Sequence, residues 1–490
     1  MKKSNLLIII FIVTFCSQVH GQNDNYWSWK FNTSSVLLAG SVVSGSAYSS
    51  SVYYNPSLIN DEMPSLAISA SLMSFQFLDI ENAVGQGLDI DKTLVRIQPR
   101  FLSKVLKTKN ERIFLEVAFL SPASENVNFS IQQLDELNLI ERTMGEEVYS
   151  GYIDYKRDYN DYYIGAGGSY KFNDKLHLGI SSFVSVKTMK YQYQQDLSAF
   201  QETDSVEIGG QTAARYISQD NYSENLKYWD LSLIFKLGAQ YELIDEKLNL
   251  GLNFTLPSIA IYGEGDIRIQ NERSNVFDNN NDQFTSNYND IEIGEKIRTK
   301  VKSPFSIALG FQFFLNEYND FISITGEYFH SIQEYSLFSF ENDSADLEAG
   351  QNGNLSQPFQ TYSEALTNWS VGGRKRVNDK LNLLFGFRTD FKNKSNEKSI
   401  DDQYSNYNLG RITFDKYHFS IGPIFEMKSF NLITGLQYSW GRNSRMRNLV
   451  NMSDPVEYIP ELDVSLQGLR EDNASAKLNE ISLFFGINFD

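Results

Sequence analysis

The chain is poor in the residues that catalysis and cross-linking draw on. Its 490 residues include one cysteine, four histidines and ten prolines. The cysteine, Cys16, lies in a stretch that reads as a secretory leader: Lys2 and Lys3, an apolar run from Leu6 to Val13, then polar residues ending Val19-His20-Gly21. That run is too short for a spanning helix, which takes about 20 residues. Cleavage after residue 21 removes the cysteine and so excludes disulfides, thiolate metal ligands and a cysteine nucleophile. A lipid anchor on Cys16 is disfavoured by Phe15, which stands where a small residue is needed. Net positive charge is missing too. Acidic residues number 61 against 43 basic, a net −18. Nucleic acid is excluded as a partner, because phosphates are neutralised by clustered Lys and Arg.

Of the three histidines left, alternation puts His177 and His418 on inward positions and His330 on an apolar face. They fall on well-separated segments with no Ser or Asp at a telling spacing, so neither a nucleophile–base pair nor a histidine metal site is expected. The acidic runs "ENDSADLEAG" and "DNNNDQ" lack the ordered ligand spacing of a calcium loop. The protein is therefore expected to be neither an enzyme nor a cofactor binder.

What the chain has is aromatics, 28 Tyr and 35 Phe, and alternation. Leu248, Leu250, Leu252, Phe254 and Leu256 alternate with polar or small residues. So do Leu381, Leu383, Phe385 and Phe387, with Leu384 the exception, and Phe430, Leu432, Thr434, Leu436, Tyr438 and Trp440. One apolar face and one polar face is the period-two signature of strands. Tight polar turns occur at Thr108–Glu111, Asn173-Asp174, Ile244–Glu246, Asn316–Asp320, Asn378-Asp379 and Met427–Ser429. Longer polar stretches lie between them, near 81–92, 123–145, 196–225, 266–295, 340–363, 396–408 and 446–474. Six turns and seven loops make an antiparallel meander of about 14 strands, with no linker to divide it. A soluble sandwich would place long loops at both ends. One-sided loops, an export signal and aromatics at strand ends (Tyr191, Tyr193, Tyr241, Tyr438, Trp440) predict a transmembrane β-barrel in the outer membrane of a Gram-negative bacterium. The barrel is assigned to residues 64–490.

A barrel that wide leaves a lumen. Residues 22–63, rich in Gly, Ser and Ala and ending at Asn55-Pro56, are the natural plug, since proline stops a strand from forming. Here the chain resembles a family. "LAGSVVSGSAYSSSVYYNPSLIN" is similar to the N-terminal hatch of the FadL-type long-chain fatty-acid transporters, with Ser57 in place of the alanine of their Asn-Pro-Ala motif. "KFNDKLHLGISSF", "DEKLNLGLNFTLPSIAIYGEGDI", "VKSPFSIALGFQFF" and the terminal "EISLFFGINFD" extend the resemblance over most of residues 36–489.

The resemblance implies passive uptake of hydrophobic molecules such as long-chain fatty acids. Ligand would be captured at outer loops, pass an apolar pocket beside the hatch (Tyr53, Tyr54, Asn55, Pro56), and leave sideways into the membrane at the third strand. That strand is placed near Arg112–Leu120, so the opening would lie about Phe119, Leu120 and Pro122. A carboxylate in an apolar pocket needs a cationic partner. Inward Lys236 and Arg388 are the candidates, while Lys175 and Lys247 sit at turns, where solubility explains them. The partners expected are hydrophobic small molecules and outer-membrane lipid, around a monomer. The competing reading is an attachment or shuttle barrel for protein secretion, working by protein–protein contact.

Overall fold

The computed structural model describes residues 25–28, 30–45, 49–60, 63–140, 142, 145–201, 205–214, 216–316, 320–339, 359–392 and 412–489. The expected leader lies outside the described residues. Fourteen antiparallel strands form one closed barrel. They are β1 (Leu66–Glu81), β2 (Ile90–Leu106), β3 (Ile113–Leu137), β4 (Glu147–Lys171), β5 (Leu176–Phe200) and β6 (Ile217–Ile244). Then come β7 (Leu248–Thr255, resuming as Ile259–Ser274), β8 (Tyr288–Thr299, resuming as Ser306–Phe314) and β9 (Phe321–Phe329, with Phe338–Ser339 beyond). The last five are β10 (Leu366–Asn378), β11 (Leu381–Asp390), β12 (Asp415–Glu426), β13 (Phe430–Met446) and β14 (Ala474–Phe489). The ladder from Leu66↔Phe489 to Glu81↔Ser475 joins β1 to β14 and closes the wall. No sheet edge is left to lipid along that junction.

The β4–β5 and β6–β7 turns form where the sequence placed them, for local reasons. In the β4–β5 turn the Asn173 side chain accepts from the backbone N–H of Lys175 (2.9 Å) and Leu176 (2.8 Å), a side-chain mimic of a backbone turn. In the β6–β7 turn Glu246 takes φ +57°. Outward faces carry exposed Leu178, Ile180, Leu237, Leu309, Ile324 and Phe385, a band that only lipid can cover. Above it stand outward Tyr162, Trp229, Tyr262, Tyr328, Trp369 and Trp440. The protein therefore spans the membrane as an outer-membrane barrel.

Two expectations fail instructively. Tyr241, Tyr438 and Trp440 face outward, but Tyr191 and Tyr193 are buried inside the barrel. The polar stretches 123–145 and 196–225 are mostly strand, because β3 to β6 each run 25 to 28 residues. At about 3.3 Å per residue that is far more than a bilayer needs. Their outer parts project beyond it, where the outward face has no reason to be apolar.

Leu252 lies on the outward face of β7, across from Leu309 and Ala239. Leu252→Arg is expected to destabilise the barrel by about 2–4 kcal/mol near the bilayer midplane. Denaturant titration in lipid vesicles measures it, and a neutral result would reverse the assigned facing.

Candidate functional site

The segment before β1 is folded inside the barrel. Asn32 caps a short helix, α1 (Thr33–Leu37), by accepting from Ser35 N–H at 3.0 Å. After a turn with φ positive at Ala39 and Gly40, the chain returns to α2 (Ser51–Tyr54) and a 3₁₀ turn at Pro56–Leu58. Asn55 ties these pieces to the wall. Its amide donates to Val43 O (2.6 Å) and to Ala239 O on β6 (3.2 Å). Its side-chain oxygen accepts from Ser57 N–H (3.1 Å) and the Ser57 hydroxyl (2.7 Å). A serine after the proline supplies a bond that alanine cannot. Pro56 begins the 3₁₀ turn, the position where its missing N–H costs nothing.

The wall admits this segment because it is lined with glycine at hatch depth. Gly179 and Gly238 are directly paired on β5 and β6, and a Cβ on either would overlap Pro56 or Asn55. Gly251 and Gly310, paired on β7 and β8, stand the same way against Val43 and Ser44. Close backbone approach is what glycine allows in a strand.

Three acidic side chains hold the hatch's N-terminal end. Glu327 on β9 accepts from Trp27 Nε1 at 2.7 Å. Asp390 on β11 accepts from Trp27 N–H (2.8 Å) and the Ser28 hydroxyl (2.5 Å). Glu480 on β14 pairs with Lys30 and also accepts from Ser74. Trp27, Phe31, Tyr53 and Tyr54 pack with Phe101, Leu120 and Phe183 into a core inside the barrel. A second cluster, with its buried tyrosines on the projecting parts of β4 to β6, lines the lumen above it.

Two of the cavities among the described residues lie between these layers. One, of about 90 Å³, is bounded by Tyr26, Tyr53, Tyr159, Tyr163 and Phe329, with Lys236 and Lys187 in its lining and Pro122 at one end. Lys236 is 5% exposed. Its ammonium sits 4.2 Å over the Tyr53 ring and donates to Thr255 Oγ1 at 3.0 Å, and it forms no ion pair among the described residues. The other, of about 60 Å³, faces β2 and β3, with Arg96 and Arg100 on one side and Ala123–Glu125 on the other.

The predicted site residues separate accordingly. Tyr53 and Lys236 meet at the first cavity. Tyr54, Asn55 and Pro56 are buried hatch. Arg388 is fully buried and lines neither cavity. Phe119 faces outward and stacks on Tyr162 at 6.3 Å, whereas Leu120 points into the hatch core. Lys175 pairs with Asp245 at the rim. Pro122 does not end β3. It sits in a register shift between Leu120↔Tyr163 and Ala123↔Asp161, with the strand continuing to Leu137.

One grouping was invisible from spacing. Arg388, His418 and Ser439 are successive cross-strand partners on β11, β12 and β13. His418 Nδ1 lies 2.7 Å from Ser439 Oγ, and Nε2 lies 3.5 Å from Asp390 Oδ2. The residue types are those of a hydrolase, but Ser439 is 1% exposed and lines neither cavity, and Asp390 is engaged by the hatch. A nucleophile needs room for its substrate. Asp390, with His418 beside it, is an anchor point for Trp27 and Ser28.

No family model matches the chain, and no curated protein does. Among solved structures it is similar to a Pseudomonas aeruginosa FadL homologue, at TM-score 0.53 and 13% identity over 96% of this chain and 100% of that one. It is similar also to the Pseudomonas putida toluene transporter TodX (0.50, 12%, 94% and 98%) and to the CymD monoaromatic hydrocarbon channel (0.50, 10%, 94% and 97%).

Proposed function

Taking as premise the fold of the FadL-type transporters, a closed 14-stranded barrel with an internal hatch, we propose that this protein is a passive outer-membrane channel for hydrophobic molecules. The observation that carries the reading is a break in the wall beside a cavity. β2 and β3 are paired only from Leu106↔Leu115 to Phe101↔Leu120. Beyond that rung, at the shift that contains Pro122, residues 90–100 and 121–137 share no ladder pairs, although β1 and β4 stay paired to them. Val95 and the 68%-exposed Ile97 stand on the outward lip of this seam. Pro122 lines the first cavity, and the second opens between the two strands.

The path then follows from solvation. An apolar molecule enters the tyrosine-lined outer lumen, rests beside Tyr53 above the hatch and leaves through the seam into the bilayer. It never has to enter the periplasmic water, where apolar surface is least favourable. Lys236 suits a ligand that ends in a carboxylate, since a buried ammonium with no carboxylate in contact, Glu327 acting only from across the cavity, gains from an anion. Long-chain fatty acids have that chemistry. The aromatic hydrocarbons named for TodX and CymD lack it, so a channel for those alone has no use for Lys236.

Organic extraction of the detergent-purified protein followed by mass spectrometry tests the reading. Co-purifying fatty acids, lost on Lys236→Met, are the expected result. An empty lumen together with a stoichiometric protein partner would replace the channel by the secretion role.

A further inference from the structure

Just above the outer girdle, the outward faces of β3 to β8 form a shallow groove of about 590 Å³. Two ladder rungs build its floor. The lower runs Asn126–Asp158–Lys190–Lys227–Asp266, and the upper runs Asn128–Lys156–Gln192–Asn225–Arg268. Four cations thus come from four consecutive strands of a chain whose net charge is −18. Lys156 pairs with Asp154 at 2.5 Å and Lys227 with Asp266 at 2.8 Å, while Lys190 and Arg268 form no ion pair among the described residues.

Lys190 and Lys227 are direct cross-strand partners, both exposed. Like charges directly opposite are destabilising in a ladder, and Asp158 and Asp266, which flank the pair on the same rung, offset only part of that repulsion. An anion between them removes the repulsion. The height of the groove says which anion. Lys227 is two residues beyond Trp229 on β6, and Asp158 and Lys156 are four and six beyond Tyr162 on β4. At about 3.3 Å per residue and a tilt of roughly 40°, the cations lie about 5–15 Å above the girdle, among outer-leaflet headgroups. The interleaved amides Asn126, Asn128, Gln192 and Asn225 add donors and acceptors of the kind that sugar hydroxyls use.

We propose that this groove is a binding site for a phosphorylated glycolipid of the outer leaflet, with a sugar phosphate seated between Lys190 and Lys227. The site lies on the lipid-exposed wall and is separate from the lumen path, so it would hold a structural lipid rather than cargo.

The test is fluorescence anisotropy of the full-length protein in nonionic detergent, titrated with labelled bis-phosphorylated lipid A. Lys190→Gln with Lys227→Gln is expected to weaken binding about tenfold or more, the loss of two charge-assisted contacts. Lys175→Gln, at the opposite rim, should leave binding unchanged. Both altered side chains point away from the lumen, and heat-modified gel mobility confirms that the variant barrels are closed. Lys190→Gln alone is the gentler variant, expected to weaken binding by a smaller factor than the double variant. Equal affinity of the double variant and the parent would overturn the proposal. So would equal affinity for dephosphorylated lipid A, or displacement by inorganic phosphate at concentrations equal to those of the lipid.

Discussion

Deleting residues 24–60 is expected to leave a folded barrel that conducts on the order of tenfold more than the intact protein in planar bilayers. The wall should survive because its closing ladder starts at Leu66, and because every strand has its neighbours without help from the hatch. Conductance should rise because the deletion takes out Trp27, Phe31, Tyr53 and Tyr54, the side chains that fill the lower lumen. The glycines at Gly179, Gly238, Gly251 and Gly310 would then face open space. A barrel of this strand number lies between those filled by their own side chains and those that hold an aqueous channel. Retention of hydrophobic ligand should fall as well, since Tyr53 is one wall of the cavity. A folded deletion barrel with unchanged conductance and retention would mean that the segment seals nothing.

Removing Pro122 is expected to slow delivery about tenfold or more while leaving the hatch in place. β3 carries one residue more than β4 across the shift, so a one-residue deletion restores continuous pairing and lets β3 run on along β2. A closed seam must break ladder bonds to open. At about 1 kcal/mol net for each bond, two new bonds cut the open population about tenfold or more. Transfer of a fluorescent fatty acid from one set of vesicles into proteoliposomes should slow by at least that factor, with binding to the purified protein retained. Normal transfer in the folded variant would exclude this seam as the exit. Pro122→Ala is the informative control, because it keeps the extra residue and should keep transport.

The barrel was legible because lipid imposes the same demand on every strand. An outward apolar residue at every second position repeats fourteen times, and polar turns mark each reversal. Where lipid ends, so does the signal, which is why the projecting parts of β3 to β6 read as loops. Residues such as Tyr191 and Tyr193 carry the apolar face inward there, the reverse of the pattern below. Leu384, the break in its strand's alternation, was itself information: it faces the lumen and packs in the hatch core. The glycines of "KLHLG" and "KLNLG", Gly179 and Gly251, stand against the hatch and mark where it lies. The His418–Ser439–Asp390 contact could not be read at all, since cross-strand register decides it and no local spacing records register.

The position of the hatch in the chain has a bearing on assembly. Its bonds reach Glu327, Asp390 and Glu480, between 300 and 450 residues further on. In chain order the partners of this segment come last, and contacts of such separation form slowly. Until β14 meets β1 there is no lumen for it to occupy. Its make-up fits that wait. Two short helices and a serine-rich connection cannot stand alone in water, so the segment stays unstructured and soluble instead of competing for strand edges. Docking of the hatch is therefore expected to follow barrel closure.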